Sequence, residues 1–475
     1  MTVELTGATL SLDDVVRVAR RAEAVALSAT AETRMRAHRR IVELALDSGT
    51  RTYGLTTGVG MRRDADVGAN DARAFNRSAI LGHLVGLGPP AREEVVRAAL
   101  LCHANALAAG HQGARPEVAA AYVRALNDGD APRVSSLGTV GQSDLAQNAD
   151  LAHGALGDLE LEAGEALALL NGNSFSTGQA VLAIADARSW LEWADAAAAL
   201  DFEAFRGNVG ALHPAIASVR RSAGVAETLT RVTTLLEGSG LFADSARFLQ
   251  DPLSYRCIPQ VHGAARDALA FVERQVAVEL NSHQGNPLVV VDEERLVSVG
   301  NFDSQALATA LDLARLALAP VLTAGVERTL KLLSPRFSGL SEGLVAAGGS
   351  WQDGLSELGV AAQAIAAEAR LLAQPVSIEL ASTMQESGVE DRMSLSSLGG
   401  RRLDEMLGLA SRLVAIELVV AAQAIDLRAD LELGVGAAAT HAFVRERVAY
   451  LDAPERMPLP LEELASTIRG TAPPA

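Results

Sequence analysis

The chain has 475 residues and a formal net charge of −17 at pH 7. Hydrophobic residues make up 49% of it and aromatic residues only 4%, which favours many closely packed helices over an aromatic-rich β-sandwich. Lysines and arginines form no cluster of the kind that follows phosphates. Nucleic acid is therefore excluded as an expected partner, and a small molecule or a protein is favoured.

The sequence also argues against metal, disulfide and membrane functions. Cys102 and Cys257 lie far apart without a CxxC spacing. The nine histidines form no HxxxH-like pair with an acidic neighbour. The N-terminus lacks a basic start followed by an apolar run, and no later stretch reaches about 18 strongly apolar residues without charge. We therefore expect no metal, no membrane contact and a cytoplasmic protein.

The first predicted element is an amphipathic helix within residues 9–28, "TLSLDDVVRVARRAEAVALS". Ser11 precedes two aspartates and apolar residues at helical spacing, which is the pattern of a capped helix. The segment "YGLTTGVG" at residues 53–60 holds three glycines and two threonines, which favour a mobile loop. A further helix is predicted within residues 165–200, interrupted by the turn "NGNSFSTG" at residues 171–178.

Past about residue 205 the sequence changes to long periods rich in alanine and leucine, each long enough for several helical turns. These periods span residues 262–280, 303–331, 355–374 and 399–430. Polar stretches separate them, and in a helical bundle the chemistry usually lies where such inserts converge. We predict a mainly α fold with a long central helical bundle, an N-terminal domain at residues 1–205 and a bundle domain at residues 206–475.

The stretch "GTVGQSDLAQNADLAHGAL" at residues 138–156 joins a polar turn to a helical pattern. Ser143 and Asp144 fit the N-cap and first turn of a helix, whose unpaired N–H groups form a partial positive pole. Such a pole can hold a carboxylate or stabilise an enolate-like oxygen. We expect Gln142 and Ser143 to stabilise negative charge in this way. The alternative is that Ser143 only caps the helix.

Eight stretches, taken in order, resemble the histidine and phenylalanine ammonia-lyase family, also called aromatic amino-acid lyases and aminomutases. They are "YGLTTGVG" (53–60), "NRSAILGHLVGLG" (76–88), "GTVGQSDLA" (138–146), "ALLNGNSFSTG" (168–178), "QDPLSYRCIPQVHGA" (250–264), "NSHQGNPLV" (281–289), "GNFD" (300–303) and "GVEDRMS" (388–394). The resemblance implies an ammonia-lyase-like helical fold and a homotetramer whose active sites are shared between chains. It also implies that an Ala-Ser-Gly triplet cyclises to the electrophile MIO.

In this chain the triplet reads Gln142-Ser143-Asp144. Cyclisation needs a tight backbone bend, which glycine permits because it has no Cβ and which Asp144 does not. An alignment that places Asp144 in the aspartate position after the triplet leaves no glycine either. We therefore predict that MIO does not form and that the enzyme uses no cofactor.

A second departure from the family lies in "QDPLSYRC", where Leu253 stands in place of a tyrosine of the amine-transfer machinery. Tyr255 could replace that tyrosine only if the loop rotates, and it otherwise fits an ordinary packed tyrosine. Arg256 is retained and corresponds to the family's carboxylate anchor, where a guanidinium can bind with two hydrogen bonds. The alternative for Arg256 is an ion pair between helices.

Tyr53 is the residue that we expect to transfer a proton. A phenol titrates near pH 10 in water, and a nearby cation or helix N-terminus lowers its pKa. A glycine-containing loop can close such a tyrosine over the substrate. The alternative is a tyrosine that packs at an interface.

The resemblance assigns four further residues to substrate binding, namely His83, Asn171, Phe302 and Glu390. Asn171 would position the substrate, although asparagine before glycine also ends a helix. His83 would line the pocket, where imidazole can carry a proton near neutral pH, unless it is an ordinary buried histidine. Phe302 would line the pocket or pack below it. Glu390 belongs to a Glu-Asp pair, but Arg392 replaces the histidine that usually follows.

These observations favour an enzyme of the ammonia-lyase family that works without MIO. Its substrate would be an amino-acid-like or unsaturated carboxylic acid, and Tyr53 would transfer a proton during elimination, conjugate addition, cyclisation or isomerisation. Specialised metabolism is the expected setting. One alternative is an MIO-dependent, histidine-type ammonia-lyase. The other alternative is a catalytically silent tetrameric scaffold.

Overall fold

The computed structural model describes residues 2–68, 71–243, 246–346, 353–378, 388, 390–428, 430–453 and 456–474. Helices dominate these residues. The first eight are α1 Leu12–Arg21, α2 Ala29–Asp47, α3 Ala72–Gly82, α4 Glu93–Ala108, α5 Pro116–Asp128, α6 Leu145–Ala155, α7 Glu165–Leu170 and α8 Ser174–Phe205. The others are α9 Ala215–Arg220, α10 Ala223–Leu235, α11 Leu253–Arg256, α12 Ile258–Leu280, α13 Gln305–Leu333, α14 Pro335–Ser338, α15 Ser356–Leu372, α16 Ser396–Asp426, α17 Val435–Arg445 and α18 Leu461–Gly470.

The described strands form three small two-stranded sheets. The strands are β1 Thr2–Leu5, β2 Ala24–Leu27, β3 Leu87–Pro90, β4 Ser135–Leu137, β5 Leu288–Val290 and β6 Arg295–Val297. β1 pairs with β2 in parallel, with Thr2 opposite Ala24, whereas β3 with β4 and β5 with β6 are antiparallel. The predicted mainly α fold is confirmed, and the four predicted long helices correspond to α12, α13, α15 and α16.

The predicted helix cap at Ser11 is also confirmed. Ser11 Oγ accepts a hydrogen bond from Asp14 N at 3.1 Å, and the Asp14 carboxylate accepts one from Ser11 N at 3.0 Å. This reciprocal pair satisfies two N–H groups at the start of α1. The helix ends at Arg21 because Ala22 is left-handed, with φ 50°, and the residues that follow form β2 instead of more helix.

The chain divides into two compact units, each assembled from three segments. Unit 1 contains residues 1–185, 273–312 and 375–401, and unit 2 contains residues 186–272, 313–374 and 402–475. Compactness does not show which segments fold on their own, so the two consecutive domains at residues 1–205 and 206–475 stay a prediction.

The core of unit 1 includes α4, which is buried from Val95 to Ala108 on every side. A helix that is apolar all round is expected to lie inside a core. Most polar side-chain groups on α4 are hydrogen-bonded, as burial requires, although His103 Nε2 has no hydrogen-bond partner in the described structure. For example, Asn105 Oδ1 accepts from Gly7 N at 3.0 Å, and its amide donates to Leu280 O at 3.2 Å.

The core of unit 2 holds a buried ion cluster. Arg328 on α13 donates to Asp201 on α8 at 2.7 Å and to Glu417 on α16 at 2.6 Å. All three side chains are almost fully buried. A buried charge is costly unless it is paired, so Arg328 is the cation that allows both carboxylates to lie in this core.

Two helices, α13 and α16, are long and apolar enough to cross a membrane by length and composition alone. In the 18-residue window that meets these criteria, 56% of the residues of α13 and 83% of those of α16 are buried. A buried core helix passes the same test, so the two helices are weak evidence for a membrane span. The expectation of a cytoplasmic protein without membrane contact stays a prediction.

Candidate active site

The segment around Ser143 has a strained backbone. Ser143 has φ 61°, a left-handed conformation that costs roughly 1–2 kcal/mol for a residue with a Cβ. Two residues earlier, Gly141 has φ 84°, and a Cβ there would lie 2.1 Å from Ser394 Oγ. Only glycine fits at position 141, and the surrounding contacts must hold Ser143 in place.

Those contacts tie Ser143 and Asp144 to the turn between α7 and α8. Ser143 Oγ accepts a hydrogen bond from Gly172 N at 3.1 Å, and Asp144 N donates to Gly172 O at 2.8 Å. The helix α6 begins at Leu145 with Asp144 as its N-cap residue. The prediction that Ser143 caps this helix is therefore wrong, because its hydroxyl faces Gly172.

The Asp144 side chain makes no capping bond to its own helix. Instead, its carboxylate accepts from Ser176 N at 2.7 Å, from Ser176 Oγ at 2.8 Å and from Thr139 Oγ1 at 3.1 Å. Ser176 lies in the first turn of α8, so Asp144 satisfies an N–H group that this helix start leaves open. Burial raises the pKa of Asp144 to about 6, although the hydrogen bonds from Ser176 and Thr139 lower it.

The turn at residues 171–173 connects further predicted site residues. Asn171 Nδ2 donates to Asn286 O at 2.6 Å, and Asn173 Nδ2 donates to Phe302 O at 2.7 Å. Asn173 N also donates to Gln284 Oε1 at 2.7 Å. The structure thus brings the loops that carry Asn171 and Phe302 to the start of α8, although the predicted turn is shorter than expected because α8 already begins at Ser174.

Gln142 lies against Asp303. The two residues form an isolated antiparallel bridge, and Gln142 Nε2 donates to Asp303 Oδ2 at 3.4 Å. Arg392 Nε lies 3.2 Å from the same oxygen. Arg392, which stands where the family usually has a histidine, therefore pairs with the Asp303 carboxylate beside Gln142.

Tyr53 is half-buried, and its hydroxyl oxygen accepts a hydrogen bond from Gly60 N at 3.0 Å. Burial raises the pKa of Tyr53, and the charge of Glu390 raises it further, while the Gly60 bond and Arg63 act in the opposite direction. The expectation that a cation lowers this pKa is corrected, because burial outweighs Arg63. Tyr53 also lines a cavity of about 20 Å³ together with Asn286, whose carbonyl binds Asn171.

His83 follows α3, and its ring nitrogen Nδ1 lies 2.7 Å from the carbonyl oxygen of Ala79 in the preceding turn. The ring is half-buried. This bond fixes the imidazole on its own helix, and the other ring nitrogen makes no hydrogen bond to the part of the chain that the structure describes.

The remaining predicted residues lie in unit 2. Arg256 is exposed at the end of α11, and its guanidinium donates to Gln250 Oε1. Leu253 is 62% exposed. Tyr255 is fully buried, its ring stacks on Phe205 at 4.1 Å between centroids, and burial holds its pKa well above the usual value. Tyr255 is therefore a packed core residue and does not replace the tyrosine that Leu253 displaces.

Sequence reasoning missed two polar residues near the start of α8. Gln284 donates to Glu279 Oε1 at 2.9 Å. Burial raises the pKa of Glu279 to about 7, and the charges of Asp144 and Asp303 also act to raise it. "NSHQGNPLV" is one of the eight stretches, so the position of Gln284 was visible, but its partners were not. Within the described ranges, no group of three or more His, Cys, Asp or Glu residues could hold a metal ion.

Comparisons with known proteins agree over almost the whole chain. The family model described as aromatic amino acid lyase matches residues 10–161 and 150–446. Histidine ammonia-lyase from Alkaliphilus metalliredigens is 32% identical and covers 95% of this chain and 93% of that protein. Histidine ammonia-lyase from Myxococcus xanthus is 34% identical and covers 97% and 96%.

Solved structures give the same result. Ergothionase from Treponema denticola superposes with a TM-score of 0.93 at 25% identity and covers 99% of each chain. Tyrosine aminomutase from Streptomyces globisporus has a TM-score of 0.92 at 27% identity and covers 99% of this chain and 97% of that chain. Both similarities extend across α1 to α18 and support the ammonia-lyase-like fold.

The relatives correct the prediction that the protein uses no cofactor. They are named histidine ammonia-lyase, and members of that family carry the MIO group. The residues encoded at 142–144 still differ from the Ala-Ser-Gly triplet that the resemblance implies. Asp144 stands in place of the glycine, its side chain is hydrogen-bonded to Ser176, and its backbone nitrogen is hydrogen-bonded to Gly172. Because these residues do not fit the cyclising triplet, no catalytic step is assigned through MIO.

The family model matches residues from 10 to 446, and the two relatives with identities above 30% cover 95% and 97% of the chain. These matches include the stretches that carry Tyr53, Ser143, Asn171 and Arg256. On this evidence the chain belongs to the aromatic amino acid lyase family.

Proposed function

We propose that the protein is an ammonia-lyase-type enzyme that acts on an amino-acid-like or unsaturated carboxylic acid, with Tyr53 as the residue that transfers the proton. The observation that carries this proposal is the convergence of separate stretches in unit 1. Ser143 is hydrogen-bonded to Gly172, and Asn171 is hydrogen-bonded to Asn286. Tyr53 lines a cavity together with Asn286.

The proposed roles follow the chemistry of each group. Removal of a proton from the substrate builds up negative charge, which amide and N–H donors stabilise when they are held in place beforehand. Gln142 and Ser143 would provide this stabilisation, and Asn171 would position the substrate. Arg256 would bind the substrate carboxylate through its planar guanidinium. His83, Phe302 and Glu390 would contact the remainder of the substrate.

Tyr53 begins the cycle protonated, since its pKa is raised above the usual value. As a base it must first lose this proton, and as an acid it can donate it directly. The Gly60 N–H bond to its oxygen favours the phenolate form. We propose that Tyr53 acts as the base after deprotonation, which makes the rate increase with pH.

The sharing of active sites within a homotetramer is also part of this proposal, as the resemblance implies. It predicts that dilution to a monomeric state abolishes product formation, because each site would need loops from other chains. Sedimentation measured alongside activity tests it. Full activity of a monomer would contradict it.

A panel of amino acids tests the proposed reaction. Histidine, phenylalanine and tyrosine are included, and so is ergothioneine, since the solved ergothionase is described as degrading it. Elimination from any of them produces a conjugated acid that absorbs in the ultraviolet. We expect Tyr53→Phe to lose about 100- to 10,000-fold in kcat, the usual contribution of a positioned acid or base.

Tyr450→Phe is the matched control, because it removes the same hydroxyl from a half-buried tyrosine that is not among the proposed site residues. The proposal predicts normal rates for this variant. Equal rates in Tyr53→Phe and wild type would remove Tyr53 from the mechanism. No product from any compound of the panel, together with no binding, would favour a silent scaffold.

A second candidate is the histidine ammonia-lyase reaction with MIO, which the names of the relatives favour. Intact mass spectrometry tests it directly. A cyclised triplet lacks two waters and is about 36 mass units lighter than the encoded chain. The encoded mass, together with turnover of a substrate, would contradict this candidate.

A further inference from the structure

Buried serine hydroxyls form a continuous path from the Asp144 carboxylate to the Gly141 carbonyl. Ser176 Oγ donates to Asp144 Oδ1 at 2.8 Å, and Ser396 Oγ lies 3.1 Å from Ser176 Oγ. Ser304 Oγ lies 2.9 Å from Ser396 Oγ and 2.9 Å from Gly141 O. These three residues, which we call the serine chain, are completely shielded from solvent.

Ser304 is the branch point of the serine chain. It has two acceptors at the same distance, Ser396 Oγ and Gly141 O, but a hydroxyl carries only one hydrogen. Ser394 Oγ lies 2.7 Å from Ser304 Oγ and 3.0 Å from Gly141 O, so it can donate to either. The direction in which the hydroxyls point is therefore set by whichever end of the serine chain must accept a hydrogen bond.

When Asp144 is ionised, it is the end of the serine chain that sets this direction. An ionised carboxylate only accepts hydrogen bonds, so Ser176 must donate to Asp144, Ser396 to Ser176 and Ser304 to Ser396. Of the two serine hydroxyls beside the Gly141 carbonyl, only Ser394 then remains to donate a hydrogen bond to it. A proton taken from solvent onto Asp144 Oδ1 turns this oxygen into a donor toward Ser176. Each hydroxyl then rotates, and Ser304 donates to Gly141 O.

We propose that the serine chain couples the protonation of Asp144 to the hydrogen bond on the Gly141 carbonyl, and that Ser304 and Ser396 are positioning residues for the segment that carries Gln142. The coupling itself is a property of the chain of hydroxyls. Its meaning for catalysis rests on the proposed function, because Gln142 and Ser143 follow Gly141 directly.

Asp144 is fully buried, and the groups around it determine how readily it takes up a proton. Thr139 and Ser176 donate to its carboxylate, the backbone at Phe175 contributes a further hydrogen bond, and within the described ranges no lysine or arginine pairs with it. Among the described residues, the carboxyl group of Glu279 interacts electrostatically with Asp144 and also with Asp303. Burial raises the pKa of Asp144 to about 6, close to neutrality.

Thermal unfolding as a function of pH tests the coupling without any substrate. Ser396→Ala removes the middle hydroxyl, so the ionised Asp144 loses the donor that supports Ser176, whereas the protonated form needs that support less. We expect the loss in Tm caused by Ser396→Ala to be larger at about pH 7.5 than at about pH 5. A hydroxyl with a merely structural role would give a loss that does not change with pH.

Ser397→Ala is the matched control. Ser397 lies next to Ser396 on α16 and is equally buried, but in the described structure its hydroxyl has no hydrogen-bond partner. We expect its Tm difference to be constant across the same pH range. Ser304→Ala serves as a second variant if Ser396→Ala does not fold, and it should show the same pH-dependent loss.

The test is completed by introducing Ser396→Ala into a protein that already carries Asp144→Asn, because an amide cannot ionise. In this background the loss caused by Ser396→Ala should no longer depend on pH. An equal loss at all pH values in the wild-type background would overturn the coupling. That result would leave the proposed function untouched, since the latter is tested by product formation with Tyr53→Phe.

Discussion

The two compact units bury carboxylates in opposite ways. In unit 2, Asp201 and Glu417 share the guanidinium of Arg328, and the pKa of Asp201 is raised well above the usual value because burial and Glu417 outweigh the cation. In unit 1, Asp144 receives hydrogen bonds only from neutral donors among the described residues, namely Thr139, Ser176 and backbone N–H groups.

This difference concerns the hydrogen-bond partners and not the direction of the pKa shift, since burial raises the pKa of both Asp201 and Asp144. A guanidinium is charged at all relevant pH values, so the cluster around Arg328 keeps its cation and its geometry. Burial raises the pKa of Asp144 to about 6, and the hydrogen bonds from its neutral donors offset this only in part. Groups that titrate near neutrality between buried hydroxyls are typical of functional sites.

The largest predicted effect concerns the cation of unit 2. Arg328→Met leaves Asp201 and Glu417 buried without a cation, and we expect a loss of about 3–5 kcal/mol in the free energy of unfolding. Denaturant unfolding measures this loss. Arg456→Ala is the control, because its pair with Asp452 is exposed to solvent and should contribute little to stability. Equal effects of the two substitutions would show that the buried cluster is not structurally important.

A smaller and pH-dependent effect is expected at Asp144. Its folded pKa of about 6 exceeds the ordinary aspartate value of 3.8, so the folded state binds the proton more tightly. The stabilisation from this proton is fully present below about pH 4 and is lost as the pH rises through about 6. Two pKa units correspond to about 3 kcal/mol.

Asp144→Asn should abolish this dependence because the amide keeps the shape of the protonated carboxyl group. We expect the stability of the variant relative to wild type to increase by about 3 kcal/mol between about pH 4 and pH 7.5. Unfolding free energies at several pH values measure the difference. A constant difference would mean that Asp144 is already ionised at low pH and that its hydrogen bonds compensate for burial.

The smallest expected effect separates the two kinds of helix cap. Ser11 caps α1 locally, whereas Asp144 satisfies the start of α8 from a distant position in the chain. Ser11→Ala should lower the free energy of unfolding by about 1 kcal/mol, the usual contribution of a cap. Thermal unfolding measures it. A loss as large as that of Arg328→Met would contradict this assignment.

The fold was predictable where the determinants are local. The cap at Ser11 and the long helices α12, α13, α15 and α16 follow from residue spacing within single segments. The family resemblance likewise depends on short stretches in order. The comparisons confirm that family assignment over most of the chain.

The candidate site was predictable only in part, because its contacts join residues that are far apart in sequence. Ser394 reaches Gly141 across 253 positions, and no periodicity encodes such a bond. The pKa of Tyr53 depends on how deeply the ring is buried, which the composition of a loop does not reveal. Tyr255 is a core residue because Phe205 lies against it, and that neighbour is also distant in sequence.

The central claim is that Tyr53 transfers the proton, and the pH dependence of kcat/KM tests it most directly. Because the pKa of Tyr53 is raised and the base must be deprotonated, kcat/KM should rise about tenfold per pH unit from neutrality into the alkaline range. This rise should be absent from Tyr53→Phe and present in Tyr450→Phe. A wild-type profile that is flat in this range, or a rise that persists in Tyr53→Phe, would contradict the account.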